Sequence, residues 1–231
     1  AYTHEFVKGW PKPTHERFKK DPIFFVGFPR SGTTLLETVL DAHPNLSVLE
    51  EKPVVSMVVE QLRNLSGGYP YSLNNLTYRH ILQLREYYYR ERNQYVEPDE
   101  NEFIVDKLPL NSVHIGALYK IFPGAKFIFA IRHPADSILS CFMQNFRPNS
   151  AMNSFYSLGD GTYCYDLVMT LYKRYLELLP LNIISVPYEA MVSDLEATVR
   201  PILDFLGVGW HDEVRKYRDR AQETGRINTP S

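Results

Sequence analysis

The sequence predicts an α/β fold in three layers, with a central parallel sheet flanked by helices. Three observations predict it. Short apolar runs rich in Ile, Val and Phe alternate with longer segments of helical periodicity. The first run, Ile23 to Gly27, passes into a turn framed by Gly27 and Gly32 and then into a helix. Polar clusters follow Gly27, Val105 and Ile131, the carboxyl ends of runs, where a parallel sheet gathers its sites.

The elements follow in order. Residues 1 to 22, rich in Pro, Lys and His, are expected to form an irregular lead-in, with one domain over 23 to 231. Ile23 to Gly27 is the first strand and Thr33 to Asp41 its helix, ended by His43-Pro44-Asn45. Leu46 to Leu49 is a short apolar run, and Val54 to Leu65 has helical periodicity. Ser66 to Asn75 reads as a loop and Leu76 to Gln94 as a charged, tyrosine-rich helix. Phe103 to Asp106 is another apolar run. Asn111 to Phe122 is helical and stops at Pro123-Gly124. Lys126 to Ile131 is a strand of β-branched and aromatic residues, and Pro134 to Phe146 is a helix with proline in its first turn. A polar loop over Arg147 to Thr162 precedes a helix over Tyr163 to Leu179 and a strand over Asn182 to Val186. The last helix, Val192 to Leu206, contains Pro201, which is expected to kink or split it, and Gly207 ends it.

Composition bounds the function. The chain has 231 residues, 44% hydrophobic and 23% charged, enough for one sizeable core. A net charge of −2 argues against a broad basic surface for nucleic acid. No apolar run reaches the roughly 20 residues that span a bilayer, and no signal peptide opens the chain. The start, AYTHEFVKGW, reads as an excised or processed one. Cys141 and Cys164 fit no disulfide framework or zinc spacing and are expected to be reduced, in or near the core. Sequons at Asn45, Asn64 and Asn75 are close to the number chance provides.

The stretch IFFVGFPRSGTTLL, Ile23 to Leu36, has the geometry of a phosphate-binding loop at a helix N-terminus. Gly27 and Gly32 keep the spacing of the nucleotide triphosphatase loop G-x-x-x-x-G-K-[ST], but Thr33 replaces its lysine and Arg30 lies inside the loop. Backbone N–H groups, hydroxyls and one guanidinium can still cradle one phosphate. Pro29 to Leu36 resembles the 5′-phosphate loop of sulfotransferases that use 3′-phosphoadenosine 5′-phosphosulfate (PAPS).

The resemblance extends from about Ile23 to about Trp210 and implies a P-loop-like three-layer sandwich. It is strongest to tyrosylprotein sulfotransferases and their bacterial, often repeat-fused, relatives. It implies that Arg30, Ser31, Gly32, Thr33 and Thr34 hold the 5′-phosphosulfate end. It implies that Arg132 and Ser140, eight positions apart, hold the 3′-phosphate, and that Tyr188 of the Tyr188-Glu189 pair lies near the nucleotide. Lys107, after a strand end, would stabilise the leaving phosphate together with Arg30. Glu51 of LEEKP would be the base that deprotonates the acceptor, with Glu50 still open and His133 or His114 next. His133 also reads as a turn residue, and Asp136 as balancing a helix N-terminus.

What the resemblance implies is sulfuryl transfer from PAPS to a hydroxyl of a protein tyrosine, carbohydrate or small molecule, with no metal. The partners are then the nucleotide and the acceptor. A cytoplasmic location is expected, or the Golgi lumen for a relative of the eukaryotic tyrosylprotein enzymes. Two departures put a tyrosyl-protein acceptor in doubt: Pro53 and Glu37 stand where that family carries arginines that contact an acidic peptide. Val48 replaces a cysteine. The family's late loop, which closes over the nucleotide, is expected beyond Ser231. Two other readings remain. One is an ATP- and magnesium-dependent phosphotransferase with Asp106 on the metal, and the other is a nucleotide-binding module without catalysis.

Overall fold

The computed structural model describes residues 1–10, 21–97, 102–144 and 152–219. Five parallel strands form one sheet in the order β2-β3-β1-β4-β5, where β1 is Ile23–Gly27, β2 Leu46–Glu50, β3 Phe103–Lys107, β4 Lys126–Ile131 and β5 Asn182–Pro187. The glycine-framed loop follows β1, the middle strand. Its neighbours β3 and β4 bring their own C-terminal residues to the same edge of the sheet.

Strand alternation sends successive side chains to opposite faces. Phe24 and Val26 enter one core with α3 (Val54–Arg63), α4 (Tyr78–Arg92), α5 (Ile115–Ile121) and the long helix α7 (Leu158–Leu178). Ile23 and Phe25 enter the other, with α2 (Thr33–Asp41) and α9 (Leu195–Leu206). Every residue of β1 is buried, as a middle strand covered on both faces requires. Phe24 stacks on Phe127 of β4 at 5.6 Å between ring centroids. Each such ring contributes roughly 1.5–3 kcal/mol by leaving water. The alternation continues along β3, where Val105 and Lys107 share the α2 face while Asp106 turns to α4.

The lead-in is less irregular than expected. Thr3 accepts a hydrogen bond from the Phe6 N–H and starts one helical turn, α1 (His4–Val7). Tyr2 and Trp10 on either side of it are buried in the α3–α5 core. The ring of Tyr2 lies edge-on to Tyr175 at 4.8 Å, over Gly116, where any Cβ would collide with it. The rest of that segment, 11 to 20, lies outside the described residues.

Three boundaries move. A 3-10 helix over Tyr71–Asn75 occupies part of the expected loop. α7 begins at Leu158 because Ser157 caps it, accepting from the Asp160 N–H. The last helix does split, but not at Pro201: α8 (Tyr188–Ser193) ends at Asp194, which is extended and caps α9 by accepting from the Ala197 N–H. Pro201 sits inside α9. The helix that begins at Pro134, α6, is described to Phe142; residues 145–151, which carry the end of that expected helix and part of the expected loop, lie outside the described residues.

Candidate active site

The loop Pro29–Gly32 leaves β1 and turns into α2, whose N-cap is Gly32. Gly32 has φ +83°, and a Cβ there would run into the ring of Tyr188, so only glycine lets the loop lie against that ring. The α2 N-terminus leaves backbone N–H groups without intrahelical acceptors, a natural cradle for an anion. Ser31 and Thr33 are buried and Thr34 is partly exposed. Arg30 stands in the left-handed region at φ 64°, a conformation that costs a side-chain-bearing residue about 1–2 kcal/mol.

Arg132 follows β4, and Ser140 lies on α6. The structure brings both to the phosphate loop. Arg30 Nε donates to Ser140 Oγ at 2.9 Å, across 110 residues of sequence. Arg132 Nη1 donates to the Arg30 carbonyl oxygen at 3.2 Å, and its guanidinium lies 4.5 Å from the Tyr188 ring centroid. Arg132 Nε is buried and makes no hydrogen bond among the described residues, leaving a donor for an anion. Tyr188 thus packs on both Gly32 and Arg132. Glu189 accepts from the His133 N–H at 2.8 Å, which holds its pKa below the usual carboxylate value and ties α8 to the start of α6. His133 is the N-cap of α6, a turn residue, and Asp136 lies in that helix's first turn.

At the other end of the loop the chemistry differs. Lys107, at the tip of β3, is 1% exposed, and its Nζ faces three carboxylates. Glu37 Oε2 on α2 is 2.7 Å away, Glu51 Oε1 3.1 Å and Glu50 Oε1 3.7 Å. Burial opposes the Lys107 charge, and Glu37, Glu51 and Glu50 outweigh it, raising its pKa above the ordinary lysine value. Glu37 is as buried as the lysine, whereas the side chains of Glu50 and Glu51 are 46% and 54% exposed at the mouth. The Glu51 N–H donates to the Lys107 carbonyl oxygen at 2.8 Å, and Glu51 has φ 47°. Among the described residues only Arg30 and Glu51 combine a side chain with a positive φ, and each lies at one end of this crevice. Backbone strain of this kind gathers at working sites.

The contact of Glu37 with Lys107 is not among the expected site contacts. Its signal was present: Glu37 shares the buried face of α2 with Thr33, Leu36 and Leu40, and a carboxylate on an apolar face needs a buried partner. Asp106 is not at the site. It takes a hydrogen bond from the Tyr88 hydroxyl at 3.0 Å beneath α4, and burial pushes its pKa up to about 7. His114 is held 2.9 Å from the Tyr69 hydroxyl, and burial pushes its pKa down to about 4. Its partner belongs to the α3–α5 side of the molecule, away from the loop.

A glycine-framed, lysine-free loop after the middle strand, with arginines and a buried lysine at adjacent strand ends, defines a P-loop-like α/β protein. Its fold is similar to that of solved sulfotransferases. They include an enzyme from Mycobacterium avium (TM-score 0.56, 15% identity, 91% of this chain and 69% of that one). The sulfotransferase domain of a Synechococcus olefin synthase matches as well (TM-score 0.52, 24% identity, 90% of this chain and 80% of that one). The chain belongs to the sulfotransferase family, whose model matches residues 22–212. Protein-tyrosine sulfotransferase 1 of Danio rerio is 28% identical over 219 residues, covering 91% of this chain and 60% of its own length. An uncharacterized protein of Aquifex aeolicus is 29% identical over 221 residues, 92% of this chain and 28% of its own. The chain therefore spans less than two thirds of the length of these relatives.

Proposed function

We propose that this domain transfers a sulfuryl group from PAPS to a hydroxyl acceptor. The observation that carries the reading is the pairing of two cationic anchors at the carboxyl ends of β1 and β4 with a lysine–carboxylate cluster at the end of β3. PAPS supplies a sulfuryl group whose bond to the 5′-phosphate is already activated. Arg30, Ser31, Gly32, Thr33 and Thr34 would hold its 5′ end. Arg132, with its spare Nε donor, and Ser140 would hold the 3′-phosphate. Tyr188 would fix Arg132 and border the nucleotide. A mouse sulfotransferase of the same fold, 18% identical with TM-score 0.50, was solved with the product nucleotide PAP, which supports this partner.

Glu51 takes the proton from the acceptor hydroxyl. The acceptor oxygen then bonds to sulfur as the bond from sulfur to the bridging oxygen breaks. Lys107 and Arg30 stabilise the charge that gathers on that oxygen. For this the Lys107–Glu51 contact must open, the ammonium turning to the leaving oxygen and the carboxylate to the acceptor. The three reacting atoms must lie nearly in line. The fixed cations and the α2 N-terminus supply the positive charge, so no step calls for a metal. Asp106 faces Tyr88 beneath α4 instead of the loop, which disfavours the magnesium-dependent reading. The free thiols of Cys141 and Cys164 suit a reducing compartment such as the cytoplasm.

The test is direct. PAP at ~100 times its dissociation constant should stabilise the protein by about 2.7 kcal/mol, and ATP with magnesium by much less. Labelled sulfate should move from PAPS to members of a panel of tyrosine peptides, sugars and phenols, with and without magnesium. Protection by PAP without transfer to any acceptor or to water would establish a binding module. Stronger protection by ATP would establish a phosphotransferase.

A further inference from the structure

The three carboxylates around Lys107 are not equivalent. Glu50 and Glu51 sit at the open mouth, whereas Glu37 is sealed under α2 and approaches the ammonium most closely. If Glu51 is to accept a proton it must let go of Lys107 in every cycle. Without Glu37, an ammonium 1% exposed would then be left with only the half-exposed Glu50 at 3.7 Å, an arrangement that drives a buried lysine to lose its proton or its place.

We propose that Glu37 is a positioning residue, the standing counter-ion that keeps Lys107 charged and in place while Glu51 leaves it to take the acceptor proton. The proposal rests on the reading of Glu51 as the base. The charged groups that face Lys107 are Glu37 from α2, Glu50 at the end of β2 and Glu51 beyond it. Asp41, one turn further along α2, is engaged elsewhere, accepting from the Val48 N–H at 3.2 Å. Arg30 extends the other way, to Ser140. Glu37 therefore divides the work of the cluster. It holds the lysine throughout, whereas Glu51 holds it only between turnovers. In Glu37→Gln the ammonium would lean on Glu51 instead and make it a poorer base. The same change removes a negative charge beside a bound polyanion, so nucleotide affinity should hold or tighten.

Two readouts test this on the whole chain. The first needs no turnover: the titration of Lys107 in the ligand-free protein, followed by the NMR shift of its Cε and assigned through Lys107→Arg. The Lys107 pKa should fall by about one unit or more in Glu37→Gln and return toward the parent value in Glu37→Asp, which keeps the charge. The second is release of inorganic sulfate from PAPS with water as acceptor, measured against pH. Turnover should fall about tenfold or more in Glu37→Gln, a part of the ~10²–10⁴-fold that a positioned base supplies. Its acid limb should move to lower pH, and the dissociation constant for PAP should not rise.

An unchanged Lys107 titration in Glu37→Gln overturns the proposal whatever turnover does. A shifted titration with an unmoved acid limb overturns the role in the reaction. A parallel loss of PAP affinity and turnover, unrelieved in Glu37→Asp, shows a structural acid and also overturns it. If Glu37→Gln does not fold, Glu37→Asp alone decides, because a carboxylate drawn back by one methylene should still lower the Lys107 pKa measurably. Glu51→Gln, run alongside, separates the two claims. Normal sulfate release in that variant removes Glu51 as base, while the Lys107 titration still judges Glu37.

Discussion

At the β4 end of the crevice two arginines meet a serine and an aromatic ring, and the carboxylate nearby, Glu189, is turned to the His133 N–H. At the β3 end a single lysine is met by three carboxylates. Both ends lie on one loop, yet one carries a surplus of positive charge and the other a surplus of negative charge. A permanently charged phosphate is held by a fixed cationic surplus, because its charge does not change during the cycle. A proton transfer needs charges that can be traded, and a lysine among carboxylates can trade partners. On the proposed reading the difference separates binding from chemistry within one crevice, and it makes the two ends separable by mutation.

The largest effect that would sharpen this division is at the proposed base. Glu51→Gln should lower turnover by about 10²–10⁴-fold and leave PAP affinity nearly unchanged, as measured by sulfate release and calorimetric titration. Equal loss of binding would erase the distinction between the ends. Next comes a control on the back of the sheet. Asp106 binds its proton more tightly folded than unfolded, so in the window from about pH 4 to about pH 7 the folded state holds more protons and stability falls as pH rises. Asp106→Asn should remove that fall and gain on the order of 2–4 kcal/mol relative to the parent above pH 7, read by denaturant melts across pH. It should leave both ends of the crevice intact.

Arg132→Ala should cost about 1.5–3 kcal/mol, and only for nucleotides that carry the 3′-phosphate. A comparison of adenosine 3′,5′-bisphosphate with adenosine 5′-phosphate reads it, and an unchanged ratio would move the 3′-phosphate site elsewhere. The smallest effect is at Tyr188. Replacing it with leucine keeps a cover over Gly32 but removes the ring beneath the guanidinium. About 0.5–2 kcal/mol of nucleotide affinity should go with it, and turnover at saturation should hold.

Much of this was legible in the chain itself. Ile23 to Gly27, Thr33 to Asp41 and Lys126 to Ile131 fall where their periodicity and end signals place them. The sequence pattern puts the start of α7 at Tyr163, and the Ser157 cap moves it to Leu158, with Gly159 and Gly161 inside the first turns. The split between α8 and α9 was expected from Pro201, and the cap at Asp194 made it instead. Leu46 to Glu50 was visible only as an apolar run, because an edge strand shows itself by its neighbour, and that neighbour, β3, lies more than 50 residues on. At the site, the glycine-framed loop shows in its spacing, whereas the Arg132–Ser140 pair is offered only by the family resemblance. The bond from Arg30 to Ser140 and the contact of Glu37 with Lys107 were not readable, since both are made by the stacking of strands remote in sequence.

The left-handed backbone at Arg30 and Glu51 bears on how this protein would change under selection. Glycine at either position would relieve the backbone strain, while removing the side chain that the proposed reaction uses. A population screened only for heat resistance would be free to take glycine at both places and would then lose the proposed transfer first. One screened for transfer would keep a thermally softer molecule, so the two positions act as a gauge of which pressure a lineage has lived under.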